Sequence, residues 1–277
     1  MKGFLTIAQN GTHDYVRMAY ALAMSLKLSQ KKHGRLSIIA NKGEEIPDRY
    51  KRAFDHIIYI DKTDSEWKVD NKWQYFWLTP YDETIVLDTD MLFFHDISEW
   101  WNYLGLYNNL EFTTEIYNFK KEIIVSDYYR KTFTNNHLPN LYTALFYFNK
   151  SQDVEEYFKL VKEMFFNWQE FYNKFLQDPP KHLSGDVIYA LAAKTMYNRK
   201  WKNHLKFVHM RGRLQHPNIV NDWNKYLQSF FTKYQNNIGL KINNYNQVYP
   251  FHYIKKNFLN DEVIELYEET TNTLRLF

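Results

Sequence analysis

The sequence predicts an α/β fold built on a mostly parallel, doubly wound central sheet. Short apolar runs alternate with segments of helical spacing through the first hundred residues, which is the signature of strand–helix–strand units. One run ends in two aspartates one residue apart, and the ends of strands are where such sheets bind ligands. Residues 4–8 read as the first strand. Residues 15–28 carry Val16, Ala19, Tyr20, Ala23 and Leu26 at helical spacing. Residues 35–41 and 54–61 read as further short buried strands. The segment KWQYFWLTPYDE reads as a helix stopped by Pro80 and leads into IVLDTDMLFFHD, residues 85–96. Beyond it, 141–149 reads as a strand, 153–176 as one long helix and 184–194 as another. A strand at 205–210, a helix near 218–234 and a hairpin at 239–254 complete the reading.

Composition narrows the function. Aromatic residues make up 19% of the 277 positions, with 23 Tyr, 21 Phe and 8 Trp, so rings build the core and some can stack on a sugar or base. A net charge of only +3 carries no strong nucleic-acid footprint, although a local basic patch remains allowed. There is no cysteine, which excludes disulfides, thiolate metal sites and a cysteine nucleophile. The opening MKGFLTIAQNGTHDY is too short in apolar residues for a signal sequence, and no run is long enough to span a bilayer. A cytoplasmic protein is expected.

Asp88 and Asp90 are what a buried strand cannot explain. Residues i and i+2 of an extended chain point the same way, so two carboxylates are driven together beside apolar packing. They repel unless a cation lies between them, and removing either one is expected to leave the fold intact. Hard oxygen donors at a strand end suit Mn²⁺ or Mg²⁺, especially where a phosphate supplies further oxygens. The alternative is a pair of solvated loop acids.

The stretch KWQYFWLTPYDETIVLDTDMLFFHDISEWW resembles the central segment of family 8 glycosyltransferases, the glycogenin and galactosyltransferase group with the Rossmann-like A-type nucleotide-sugar fold. Lys72, Leu78-Thr79, Tyr81, Asp88-Thr89-Asp90 and Asp96-Ile97 fall in that family's register without a gap. The resemblance implies one domain over 1–277, with a nucleotide-binding half at 1–100 and an acceptor half at 101–277 that ends in a metal-site strand. It implies that Asp88, Thr89 and Asp90 hold the ion and the donor diphosphate while Lys72 approaches the donor. FLTIAQN followed by Tyr15 resembles the family's first strand and loop, with a loop two residues longer than in glycogenin-like members. That match implies nucleoside contacts from Gln9, Asn10 and Tyr15.

Further along, the sequence departs from the family. In LYTALFYFNKS, Tyr142 and Ala144 stand where the family has asparagine and glycine. SGDVIYAL keeps Asp186 but has Val187 in place of glutamine. Asp186, like Lys72, is implied in catalysis, while a helix N-cap is the other role open to it. The family's metal histidine has two candidates. His252 in VYPFHYIKKN is followed by Lys255 and Lys256; His209 in FVHMRGR has Gly212, Arg211 and Arg213 beside it. The order of elements assigns His252 to the metal and Lys255 and Lys256 to the diphosphate. His209, Arg211 and Arg213 fall to the acceptor or phosphate side, with His209 the alternative metal ligand.

The resemblance thus implies a metal-dependent transfer from a nucleotide-diphosphate sugar, UDP-linked by family habit, with retained anomeric configuration. A glycan or small molecule is the expected acceptor. The basic, aromatic stretch at 199–216 keeps a modified DNA base open as an alternative. A non-catalytic carbohydrate-binding protein of the same fold is the other.

Overall fold

The computed structural model describes residues 1–61, 71–106, 108–125, 129–197, 199–202, 204–210, 227–234 and 236–276. In chain order the strands are β1 Lys2–Ile7, β2 Leu36–Asn41, β3 Ile57–Ile60, β4 Glu83–Leu87, β5 Met91–Leu92, β6 Leu110–Thr113 and β7 Tyr142–Asn149. They continue as β8 Val208–His209, β9 Ser229–Tyr234, β10 Asn237–Ile242, β11 Tyr245–Asn246 and β12 Phe251–His252. The main sheet runs β3-β2-β1-β4-β7-β6. β1 to β4 are mutually parallel, and β7 lies antiparallel between β4 and β6.

Side chains alternate between the two faces, as a sheet covered on both sides requires. Phe4, Ile38, Ile85, Leu87, Leu145 and Tyr147 pack on one side, together with the helices Tyr15–Ser29 and Asp261–Thr273. Leu5, Ile39, Val86, Phe146 and Phe148 pack on the other, against Gln152–Phe166 and Gly185–Met196. No helix among the described residues is long and apolar enough to cross a membrane.

Several expectations change. The 153–176 helix is two, Gln152–Phe166 and Trp168–Phe175, because Asn167 leaves helical geometry at φ −119° and ψ 29°. The segment 72–83 is helical only through Leu78, since Thr79 is extended, as the residue before a proline prefers. Of the 205–210 strand, only Val208–His209 pairs. Residues 229–234 form β9 rather than helix, zipped from Ser229 opposite Ile242 to Tyr234 opposite Asn237, while 218–226 lie outside the described residues. Cross-strand pairing there overrides the helical reading. The hairpin is β10–β11; β12 leaves it for a separate small sheet, ordered β5-β12-β8. The C-terminal helix Asp261–Thr273 was absent from the sequence reading, although Asn260 caps it by accepting from the Val263 amide at 3.0 Å.

Candidate functional site

The two aspartates lie in the turn between β4 and β5, not on a strand. Strand alternation is therefore not what brings them together. The turn is fixed from below: the Thr6 hydroxyl donates to the Leu87 carbonyl at 2.8 Å, and the Asp88 amide donates to Ala144 O at 2.9 Å. β12 then carries His252 alongside. It pairs antiparallel with β5, setting His252 opposite Met91, and the Tyr253 amide donates to Asp90 O at 3.0 Å. One donor atom each from Asp88, Asp90 and His252 lies within 4.8 Å of the others.

The expected repulsion is absent because each carboxylate has protein cations of its own. Lys72 Nζ lies 2.7 Å from Asp88 Oδ1. Asp90, 5% exposed, accepts from Lys256 Nζ and lies 3.1 Å from His252 Nε2. Burial opposes charge on Asp90, but His252 and Lys256 outweigh it and hold the carboxyl well below its usual range. Burial likewise works against the Lys72 ammonium, yet Asp88 beside it raises the pKa. His252 follows the same balance: burial lowers its pKa, while Asp90 and then Asp88 raise it above the ordinary imidazole value.

Two carboxylates and an imidazole are a donor set that fits Mn²⁺ or Mg²⁺, and their spacing allows one ion to meet all three. A metal needs the neutral imidazole, so binding displaces a proton. Because the His252 pKa is raised, metal affinity should fall with decreasing pH from above the ordinary imidazole range, by about tenfold per pH unit below that raised pKa. Calorimetry of Mn²⁺ binding in buffers of different ionisation enthalpy reads the released proton. Affinity independent of pH around neutrality would remove His252 from the ligand set.

A cavity of about 190 Å³ opens over these groups, lined in part by Gln9, Tyr15, Lys72, Thr89 and Lys256. Tyr15 begins its helix, and Lys256 Nζ lies 5.4 Å from the Tyr15 ring centroid. Gln9 is held by its amide, which donates to Asn41 Oδ1 at 2.7 Å. Asn10 serves the backbone instead: its Oδ1 accepts from the Val16 amide at 3.0 Å, and it is not among the cavity-lining residues. Lys255 faces a neighbouring groove with His13 and Arg17. Arg211, Gly212 and Arg213 lie outside the described residues.

A second cavity, about 320 Å³, shares Lys72, Asp88 and His252 with the first and continues past Asp186, Tyr142 and His209. Asp186 is not the N-cap of Gly185–Met196; Ser184 is. Its Oδ1 accepts from the Thr143 amide at 2.9 Å and the Thr143 hydroxyl at 2.6 Å, and its Oδ2 from Arg130 at 3.2 Å. Val187 is buried in the core. His209 sits on β8 beside β12, its ring stacked on His252 at 4.9 Å between centroids. Sequence reasoning missed Arg130 and Thr143. A lone arginine in a loop, 56 residues from its acidic partner, leaves no local signal. It also missed Tyr189, whose hydroxyl donates to Lys72 O at 2.9 Å and so fixes the base of that lysine.

This architecture is the A-type glycosyltransferase fold. A solved structure of LgtC bearing an active-site substitution superposes with a TM-score of 0.55 at 13% identity, covering 98% of this chain and 95% of that one. The galactosyltransferase LgtC bound to donor and acceptor sugar analogues gives 0.48 at 14% identity over 68% of this chain and 70% of that one. Mouse xyloside xylosyltransferase 1 gives 0.46 at 12% identity, covering 70% and 82%. No protein-family model matches the sequence, and no curated protein matches it by sequence. At such identities the likeness establishes the fold, and the chemistry rests on the site.

Proposed function

We propose that this protein is a metal-dependent glycosyltransferase that takes a nucleotide-diphosphate sugar, with a uridine nucleotide the favoured donor and Mn²⁺ the favoured ion. The observation that carries the reading is the grouping of Asp88, Asp90 and His252 beyond the strand ends of an A-type fold, with Lys72 and Lys256 on the same cavity. When bound there, the ion supplies Lewis-acid neutralisation of charge on a leaving diphosphate. The chain's own residues do the rest. Tyr15 offers a ring face to the nucleoside base and Gln9 an amide. Lys256 and Lys72 add positive charge where the leaving oxygen gains negative charge.

Asp186 acts as an orienting acceptor for a sugar hydroxyl. With three donors already on its oxygens it is poorly disposed to attack carbon, which disfavours a covalent intermediate; the retention implied by the resemblance would then proceed by same-face attack assisted by the leaving diphosphate. The second cavity, walled by Tyr142, receives the transferred sugar and the incoming hydroxyl of a glycan or small-molecule acceptor. A DNA acceptor is not supported. In the stretch that suggested it, Arg199 donates to Leu110 O and lies 4.1 Å from the Trp201 ring centroid, and Arg211 and Arg213 lie outside the described residues.

A thermal-shift screen of UDP-glucose, UDP-galactose, UDP-xylose and GDP-mannose, with and without Mn²⁺, tests the reading. A donor at ~100 times its Kd stabilises by about 2.7 kcal/mol, which for a chain of 277 residues is roughly 5 °C. The shift should require the metal. Equal shifts without metal, or none with any donor, would refute the proposal, and donor binding without turnover would return the non-catalytic alternative.

A further inference from the structure

Arg130 is a buried cation that enters the chemistry above only as one of the donors on Asp186. Its guanidinium lies 3.7 Å from the Phe133 ring centroid and 4.0 Å from that of Tyr142, a sandwich that covers both faces. One nitrogen, Nη2, donates to Leu141 O at 2.7 Å and to Asp186 Oδ2 at 3.2 Å. Nη1 has no hydrogen-bond partner among the described residues. The two ends of this ion pair differ. The Arg130 side chain is 6% exposed, whereas that of Asp186 is 34% exposed on the second cavity.

A buried ion pair contributes little net stability, and apolar residues of similar volume often serve a core as well or better. The fold therefore does not demand an arginine at 130. The sugar subsite supplies the reason. Tyr142 stands where a smaller residue would open the cavity, and three contacts fix it: the guanidinium on its face, Phe207 edge-on at 6.1 Å, and a 2.8 Å hydrogen bond between its hydroxyl and that of Tyr129. The same arginine thus controls both the carboxylate that faces the cavity and the ring that bounds it.

We infer that Arg130 is a positioning residue for the sugar subsite: it holds the Asp186 carboxylate in one rotamer toward the cavity and pins the Tyr142 ring as the cavity wall. The inference rests on the transferase reading, and its test separates the two. Calorimetry in Mn²⁺ compares UDP-glucose, UDP-galactose, UDP-xylose and GDP-mannose, each with its own nucleoside diphosphate, and so isolates the affinity added by the sugar. Arg130→Met should leave nucleoside-diphosphate affinity unchanged and remove about tenfold of the sugar's contribution, the effect of one charge-assisted hydrogen bond. Arg130→Lys should lose less, because it keeps the charge without the planar fork; if Arg130→Met does not fold, the lysine variant carries the measurement. In an Asp186→Asn background either substitution should cost less than it does alone, since the part of its effect that runs through the carboxylate is already lost and only the hold on Tyr142 remains. Full additivity, or equal losses for diphosphate and sugar conjugate, would reduce Arg130 to a structural role and overturn the inference alone. Wild-type protein that binds none of these probes would take down the transferase reading together with it.

Discussion

Asp90→Asn should abolish transfer and destabilise the fold in one step, whereas Asp88→Asn should abolish transfer at a smaller structural cost. Asp90 is the shared counter-ion of Lys256 and His252, whose side chains are 20% and 11% exposed. Its removal leaves two cations facing one another in a buried place. Breaking such a pair costs roughly 3 kcal/mol or more, and His252 limits the loss by giving up its proton. Asp88 serves one cation, Lys72, which also feels the field of Asp186. For both variants transfer should fall by about 10³-fold or more, the several kcal/mol of charge stabilisation a bound ion provides. Urea titration and steady-state assays in Mn²⁺ read the two effects separately. Equal stability of Asp90→Asn and wild type would contradict the burial argument, and retained Mn²⁺-dependent transfer would contradict the metal assignment.

The two histidines should separate in the same way. His252→Ala removes a donor atom from the three-residue grouping and should weaken Mn²⁺-dependent donor binding by at least about 100-fold, the upper range for residues that merely support a metal ligand. His209→Ala should spare the metal-dependent nucleotide part of donor affinity and lower the rate of transfer, because His209 lines the second cavity and touches the first only through its stack on His252. Donor titration and initial rates on both variants decide the matter. Donor affinity lost in His209→Ala and kept in His252→Ala would reverse the assignment.

The first hundred residues were legible because their information is local. Apolar runs, Pro80 and the spacing from Lys72 to Asp90 lie within one continuous stretch, and β1 to β4 form where those runs predicted them. The ends of functional elements were less legible, since β8 and β12 are two-residue strands whose pairing is set by partners far along the chain. β9 had aromatic residues compatible with a helix and became a strand only by pairing with β10. Among the residues that line the two cavities, those with an obvious chemistry stood out in the sequence. Arg130, Thr143 and Tyr189 did not, because each acts by holding another residue and its partner is 43 to 117 positions away. The sign of the carboxylate pair was also misjudged: repulsion was inferred from two residues, while the neutralising lysines come from elsewhere in the chain.

On the proposed function, those lysines would make metal and donor entry an exchange of partners. An arriving divalent ion competes with Lys72 for Asp88 and with Lys256 and His252 for Asp90. Metal alone would then draw on carboxylates that already neutralise ammonium groups, and nucleotide alone would meet cations already engaged by those carboxylates. With both bound, a displaced lysine would have a phosphate oxygen to meet, and the cost of breaking the ion pairs would be shared. Such linkage is reciprocal, so the factor by which the ion tightens the donor equals that by which the donor tightens the ion. The ion and the nucleotide sugar are then best described as a single ligand in two parts, taken up cooperatively, with ion occupancy following donor concentration rather than metal concentration alone.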